Sequence, residues 1–259
     1  MPSQLLTTQE DRTLILTLSD PATRNSLSPQ AVTAAVEALN QADQNPEVRA
    51  VVLRGEGAHF CAGGDLNRIS GARERPPESQ AASIDLFHAL VDTMRSFSKP
   101  VIAAVEGFAA GGGMSLALAC DLIVAASDAR FVLSYAKVGF SPDGGSTWHL
   151  ARALPRALAL EIAWLAEPLG AERLHALGVV NRLAEPGQAL AQALALARQL
   201  SFMAPNAVAS VKELVQAAPS RSLQDAMNAE REAFVANLFH ANGGEGLAAF
   251  FGKRKPEFK

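Results

Sequence analysis

Cysteine is scarce in this chain: Cys61 and Cys120 are the only 2 in 259 residues. They stand far apart in apolar or glycine-rich surroundings and match no metal-ligand spacing. The expectation is therefore two buried thiols in a reducing compartment, with neither a disulfide framework nor a metal site. Long apolar runs are missing too, since no stretch reaches the roughly 18 uninterrupted apolar residues that a membrane-crossing helix needs. The opening residues MPSQLLTTQEDRT lack both a cationic start and an apolar segment, so the expected location is cytoplasmic. Nor is there an excess of one charge. Lys+Arg number 23 against 26 Asp+Glu, and a net charge of −3 offers no broad field to nucleic acid or to an anionic membrane. Any polyanion must be met locally.

What the chain does have is apolar material, 49% hydrophobic against 19% charged residues, a balance that excludes disorder. A length of 259 residues fits one large domain or a domain with an appendage, and such a core needs no staple. Residues 13–18 and 48–53 are short β-rich runs. Between them Val32, Val36 and Leu39 recur on one helical face behind Ser28 as cap and Pro29 at the first helical position, which reads as a β-α-β unit. Residues 71–77 look irregular. A helix follows with Ile84, Phe87, Val91 and Met94 on one face, and Pro100 closes it.

Residues 101–105 read as a buried parallel strand running into glycine-rich backbone at 107–113, with a helix from Met114 to Cys120. Strands are expected at 122–125 and 131–133, then helices, one more strand at 179–183, and helix to the end. Repeated β-β-α turns followed by helices suggest a stacked α/β core, residues 1–195, with a C-terminal helical module, residues 196–259. The apolar segments 189–200 and 223–239 suit subunit contacts.

Two loops stand out as chemistry: FCAGGDL at 60–66 and GFAAGGG at 107–113. Each follows a strand and exposes backbone where side chains are absent. Together they could aim N–H groups at one developing oxyanion, although either alone would suit a tight turn. Neither has the Lys-Ser/Thr ending of a phosphate loop or the Rossmann glycine spacing.

With KPVIAAVEG at 99–107, GGGMSLALACD at 111–121 and EGLAAFFGKRKPEF at 245–258, these motifs make the chain resemble the enoyl-CoA hydratase/isomerase, or crotonase, superfamily along its whole length. The resemblance implies a crotonase-like stacked β-β-α superhelical core with a C-terminal helical trimerisation module. It further implies a homotrimer or dimer of trimers and an acyl-CoA substrate whose coenzyme A is no separate cofactor. The Gly64 and Gly112 N–H groups would hold the thioester oxygen of an enolate. Arg24, Ala62, Asp65, Leu66 and Tyr135 would line the acyl-CoA site, and Phe250 and Lys253 would reach the nucleotide from a neighbouring subunit.

Where the family's hydratases carry two glutamates, this chain has Ser115 and Tyr135, which weakens hydration as the reaction. The remaining carboxylate is Asp143 in SPDGGSTW at 141–148, whose alternative role is to cap the helix starting near Ser146. The motif looks most like that of the 1,2-epoxyphenylacetyl-CoA isomerase group. It implies double-bond isomerisation with Asp143 as acid and base. Competing expectations are a hydratase with relocated acid and base, an aryl-CoA dehalogenase with Asp143 as nucleophile and His88 nearby, and a noncatalytic acyl-CoA binding protein. His88 itself reads as a half-buried structural histidine beside Ile84 and Val91.

Overall fold

The computed structural model describes residues 3–259. The chain opens with a hairpin of β1 (Gln4–Glu10) and β2 (Thr13–Ser19), antiparallel with Leu5 opposite Leu18. α1 (Pro29–Gln44) and the parallel strand β3 (Ala50–Gly55) complete the first β-α-β unit. Its entry is built as the sequence implies: the Ser28 hydroxyl accepts the Ala31 N–H at 3.1 Å and Pro29 is the first helical residue. β1 has no counterpart among the expected strands. It is an edge strand, exposed except at half-buried Leu5, and so carries no apolar alternation.

α2 (Leu66–Ala72) and α3 (Pro77–Ser96) follow, and residues 73–76 between them form the non-helical centre of the segment expected to be irregular, whose two ends are helical. α3 buries Phe87, Leu90, Val91 and Met94 and ends at Ser96, before Pro100 is reached. Next come β4 (Val101–Val105), β5 (Phe108–Ala110), α4 (Gly112–Ala119), β6 (Leu122–Ala126) and β7 (Arg130–Val132). The order continues with α5 (Ser146–Ala153), α6 (Arg156–Leu165), β8 (Leu169–Gly170), α7 (Ala171–Ala176), β9 (Arg182–Ala184) and α8 (Ala189–Ser201). α9 (Pro205–Ala217), α10 (Leu223–Phe239) and α11 (Ala241–Phe251) close it.

The strands form a six-stranded sheet, β1-β2-β3-β4-β6-β9, and a three-stranded sheet, β5-β7-β8. β6 and β7 are consecutive yet belong to different sheets, as do β4 and β5. Each β-β step thus crosses from one layer to the other. In the larger sheet every pairing after the β1–β2 hairpin is parallel, so both faces must be covered. The side chains divide with period two. Val51, Leu53, Val101, Ala103 and Val105 join the main core, whereas Ala50, Val52, Ile102, Ala104 and Val124 point to the other face.

That second face is covered by α8 through Ala189, Ala193, Leu196 and Ala197. The expectation that residues 189–200 serve subunit contacts is therefore corrected: this apolar stripe is core. A boundary at residue 195 falls inside α8, which belongs with the α/β layers. The apolar residues of the last three helices are different, because Val211, Val215, Phe234, Phe239, Phe250 and Phe251 are all exposed.

Both cysteines are free and buried, and burial pushes the Cys61 thiol up to about 12. No helix among the described residues is long and apolar enough to cross a membrane. On α5, burial and the guanidinium groups of Arg95 and Arg152 hold His149 down at about 4, against an ordinary 6.5. The unfolded chain then binds more protons than the folded one between pH 6.5 and 4, so stability falls on acidification through that window. The His149 contribution is expected to be at most about 1.4 kcal/mol per pH unit. Urea titrations across this range should show a shallower dependence in His149→Gln; an unchanged slope rejects the assignment.

Candidate active site

The site is assembled from backbone before any side chain enters. After β3 the chain makes a loop held on three sides. The Phe60 and Cys61 N–H groups donate to the carbonyls of Glu106 and Phe108, the Ala62 N–H donates to the Arg24 carbonyl, and the Leu27 N–H donates to that of Gly63. Cys61 also bridges Ala109 of β5, which ties the loop to the smaller sheet. Gly63 sits at φ 82°, and a Cβ there would lie 2.7 Å from both the Ala110 carbonyl and the Gly112 nitrogen. The first glycine loop therefore touches the start of α4, and a side chain at Gly63 would force them apart.

This contact sets Gly64 and Gly112 on the wall of one cleft. Gly112 is the first residue of α4, so its N–H has no acceptor within the helix. Among the described residues neither the Gly64 nor the Gly112 N–H donates to a protein carbonyl. Two free donors, one at a helix N-terminus, favour negative charge between them. Leu27, Val32, Ile69, Ile84 and Phe87 supply apolar walls, and Tyr135 and Asp143 lie on the same cleft.

Asp143 precedes α5 but does not cap it. The N-cap is Gly145, with no side-chain bond, and Asp143 contributes only its carbonyl, 3.2 Å from the Ser146 hydroxyl. Its carboxylate instead accepts a hydrogen bond from the Tyr135 hydroxyl at 2.5 Å. Tyr135 lies in a single 3-10 turn, Ser134–Val138, and its oxygen is 3.5 Å from that of Ser115 on α4. Burial, then the Asp143 carboxylate, drives the phenol far above its ordinary value of 10, so Tyr135 stays protonated and donates. The half-buried Asp143 carboxylate is held on one oxygen.

Gly64, Gly112, Tyr135 and Asp143 are thus brought together. Arg24 and Ala62 flank the first loop and are joined by their own backbone bond, with Arg24 exposed in a left-handed conformation. Asp65 caps α2 by accepting the Asn67 N–H at 2.9 Å, and Leu66 is 56% exposed. Phe250, 77% exposed on α11, and Lys253 just beyond it do not line the cleft of their own chain. His88 is exposed, contrary to its expected half-burial, and accepts the Gly144 N–H on Nε2 at 3.3 Å.

Two supporting residues escaped sequence reasoning. Asn25 is fully buried, accepts the Asp20 N–H at 3.0 Å, and donates to the Glu56 and His59 carbonyls at 2.9 and 2.7 Å. It fixes the approach to the first glycine loop, and only its place between a cation and an apolar turn hinted at it. Glu106 accepts the Gly187 and Ala189 N–H groups at 3.0 and 2.8 Å, capping α8 from the β4–β5 junction.

The enoyl-CoA hydratase/isomerase family model matches residues 8–259. The chain belongs to the enoyl-CoA hydratase/isomerase family. Two relatives from Escherichia coli K12 are each 33% identical: 1,2-epoxyphenylacetyl-CoA isomerase, matched over 98% of this chain and 97% of its own, and 2,3-dehydroadipyl-CoA hydratase, over 99% of both. A solved structure, an enoyl-CoA hydratase from Polaromonas sp. JS666, is 56% identical with a TM-score of 0.98, covering 99% of this chain and 100% of that one. The architecture is the crotonase fold, and the chain is a family enzyme acting on acyl-CoA. An isomerase and a hydratase stand at equal identity, so the reaction must be argued from the cleft.

Proposed function

We propose that this enzyme isomerises a double bond in an enoyl-CoA, with Asp143 moving the proton. The observation that carries the reading is that one carboxylate, oriented by Tyr135, shares a cleft with two free backbone N–H groups. The family resemblance, which matches Ser115 and Tyr135 to the hydratases' two glutamates, supports it. Asp143 takes a proton from the carbon next to the thioester of a 3-enoyl-CoA. The electron pair moves onto the thioester oxygen, where the Gly64 and Gly112 N–H groups stabilise the dienolate. The protonated Asp143 then returns the proton to C4, the double bond settles at C2, and the carboxylate is restored.

No separate cofactor enters the scheme, because coenzyme A is part of the substrate. Arg24, Ala62, Asp65 and Leu66 would face it, with Phe250 and Lys253 from a neighbouring subunit. The exposed apolar residues of α9 to α11 support contacts between copies of the chain. The assembly that the family resemblance implies is a homotrimer or dimer of trimers, and the location in keeping with the sequence is the cytoplasm.

Hydration is the second reading, favoured by the 56% identical structure described as a hydratase. One assay separates them. Supplied with a 3-enoyl-CoA, the enzyme is expected to produce the conjugated 2-enoyl-CoA, seen as rising enoyl-thioester absorbance, and to leave crotonyl-CoA nearly untouched. Rapid loss of crotonyl-CoA absorbance with no gain from the 3-enoyl substrate would reject isomerisation in favour of hydration.

A further inference from the structure

Asp143 is gripped from two directions, and the proton-transfer scheme uses only one of them. Tyr135 holds the carboxylate; the backbone immediately after it is held by α3. The Gly144 N–H donates to His88 Nε2 at 3.3 Å, across 56 residues of sequence. Gly144 is buried at φ 59°, and a Cβ there would lie 2.3 Å from the Phe87 ring and 2.9 Å from the Ser115 Cβ. The loop is therefore pressed against Phe87, and His88 next to it supplies the polar anchor. Phe87 also lies against Gly112, where an added Cβ would be 3.6 Å from the same ring. One turn of α3 thus lies against both Gly112, one of the two oxyanion donors, and the Asp143 loop.

We infer that His88 is a positioning residue for Asp143: its Nε2 lone pair fixes the Gly144 peptide and with it the direction of the neighbouring carboxylate. Accepting an N–H on Nε2 requires the neutral ring with its proton on Nδ1. His88 then needs no contact with substrate; it acts through a backbone bond. A glutamine, whose side-chain oxygen is also an acceptor at the end of a similar reach, should replace it, and a leucine should not.

The inference rests on the reading of Asp143 as the proton carrier, and the tests separate the two. His88 is exposed on α3, so both variants should fold. His88→Leu is expected to lower kcat about tenfold with KM little changed, and His88→Gln to recover most of it. Amide exchange followed by mass spectrometry on a peptide spanning residues 140–150 should be faster in the leucine variant and near wild type in the glutamine variant, whatever the reaction proves to be. Added to Asp143→Asn, the leucine change should cause no further loss, because a residue acting only through Asp143 has nothing left to position. Wild-type exchange and turnover in His88→Leu, or a glutamine variant as slow as the leucine one, would overturn the role. Full turnover in Asp143→Asn with altered exchange in His88→Leu would instead overturn only the reading of Asp143.

Discussion

Asp143→Asn is expected to lower turnover of a 3-enoyl-CoA by about 10²–10⁴-fold, the range in which a positioned acid or base contributes. That corresponds to about 2.7–5.5 kcal/mol of barrier. The substitution is close to isosteric, and the amide oxygen can still accept from the Tyr135 hydroxyl, so the loop has no reason to move. What is lost is the capacity to take a proton from carbon. The Gly64 and Gly112 donors are backbone groups that the change does not touch, so substrate binding should stay within about twofold of wild type. The effect must therefore fall on kcat. Retained turnover would reject Asp143 as the proton carrier, and a loss confined to KM would make it a binding group. Tyr135→Phe sharpens the interpretation: it removes the hydrogen bond but leaves the carboxylate, and should lose much less than Asp143→Asn.

How much of this was legible in the sequence depends on how local the signal is. The β4 strand follows from an unbroken Val/Ile/Ala run, and the start of α1 follows from Ser28 and Pro29, because caps and buried strands are written within a few residues. The two glycine loops could be found as a pair, since each keeps its backbone exposed after a strand. β1 could not: an edge strand with one partner and a largely exposed surface has no alternation to detect. α8 announced an apolar stripe but not what the stripe meets, since a helix covering a sheet and one covering a second subunit carry the same pattern. Asp143 could be named, yet its freedom from capping α5 rests on Tyr135, eight residues away across a 3-10 turn with no period to reveal it. His88 and Gly144, 56 residues apart, meet only in the folded chain, where the loop before α5 packs against α3.

Lys212→Met is expected to lower stability by about 1–3 kcal/mol, the cost of leaving the partners of a partly buried, multiply hydrogen-bonded ammonium unsatisfied. Lys212 lies on α9 with its side chain 10% exposed, and its ammonium is 2.8 Å from the Asp121 carboxylate, itself 21% exposed. The same ammonium donates to the Met94 carbonyl at 2.9 Å and more weakly to that of Lys99. One side chain thus joins the C-terminal helices to the ends of α3, α4 and β4. Asp121 additionally accepts the Val101 N–H at 2.8 Å, so the carboxylate cannot turn out to water without releasing the start of β4. Burial already raises the Asp121 carboxyl above its ordinary 3.8, against the opposing pull of Lys212. Removing the ammonium raises it further. The folded variant then binds more protons than the unfolded chain above pH 3.8, so its deficit relative to wild type should grow as pH rises through the folded-state value. Adding Asp121→Asn removes that charge while an amide oxygen can keep the Val101 bond. The double variant should therefore recover part of the loss and flatten its pH dependence. Urea denaturation midpoints of the single and double variants at several pH values check this. If both variants lose the same stability at every pH, Lys212 holds α9 through the carbonyls alone, and the ion pair adds nothing.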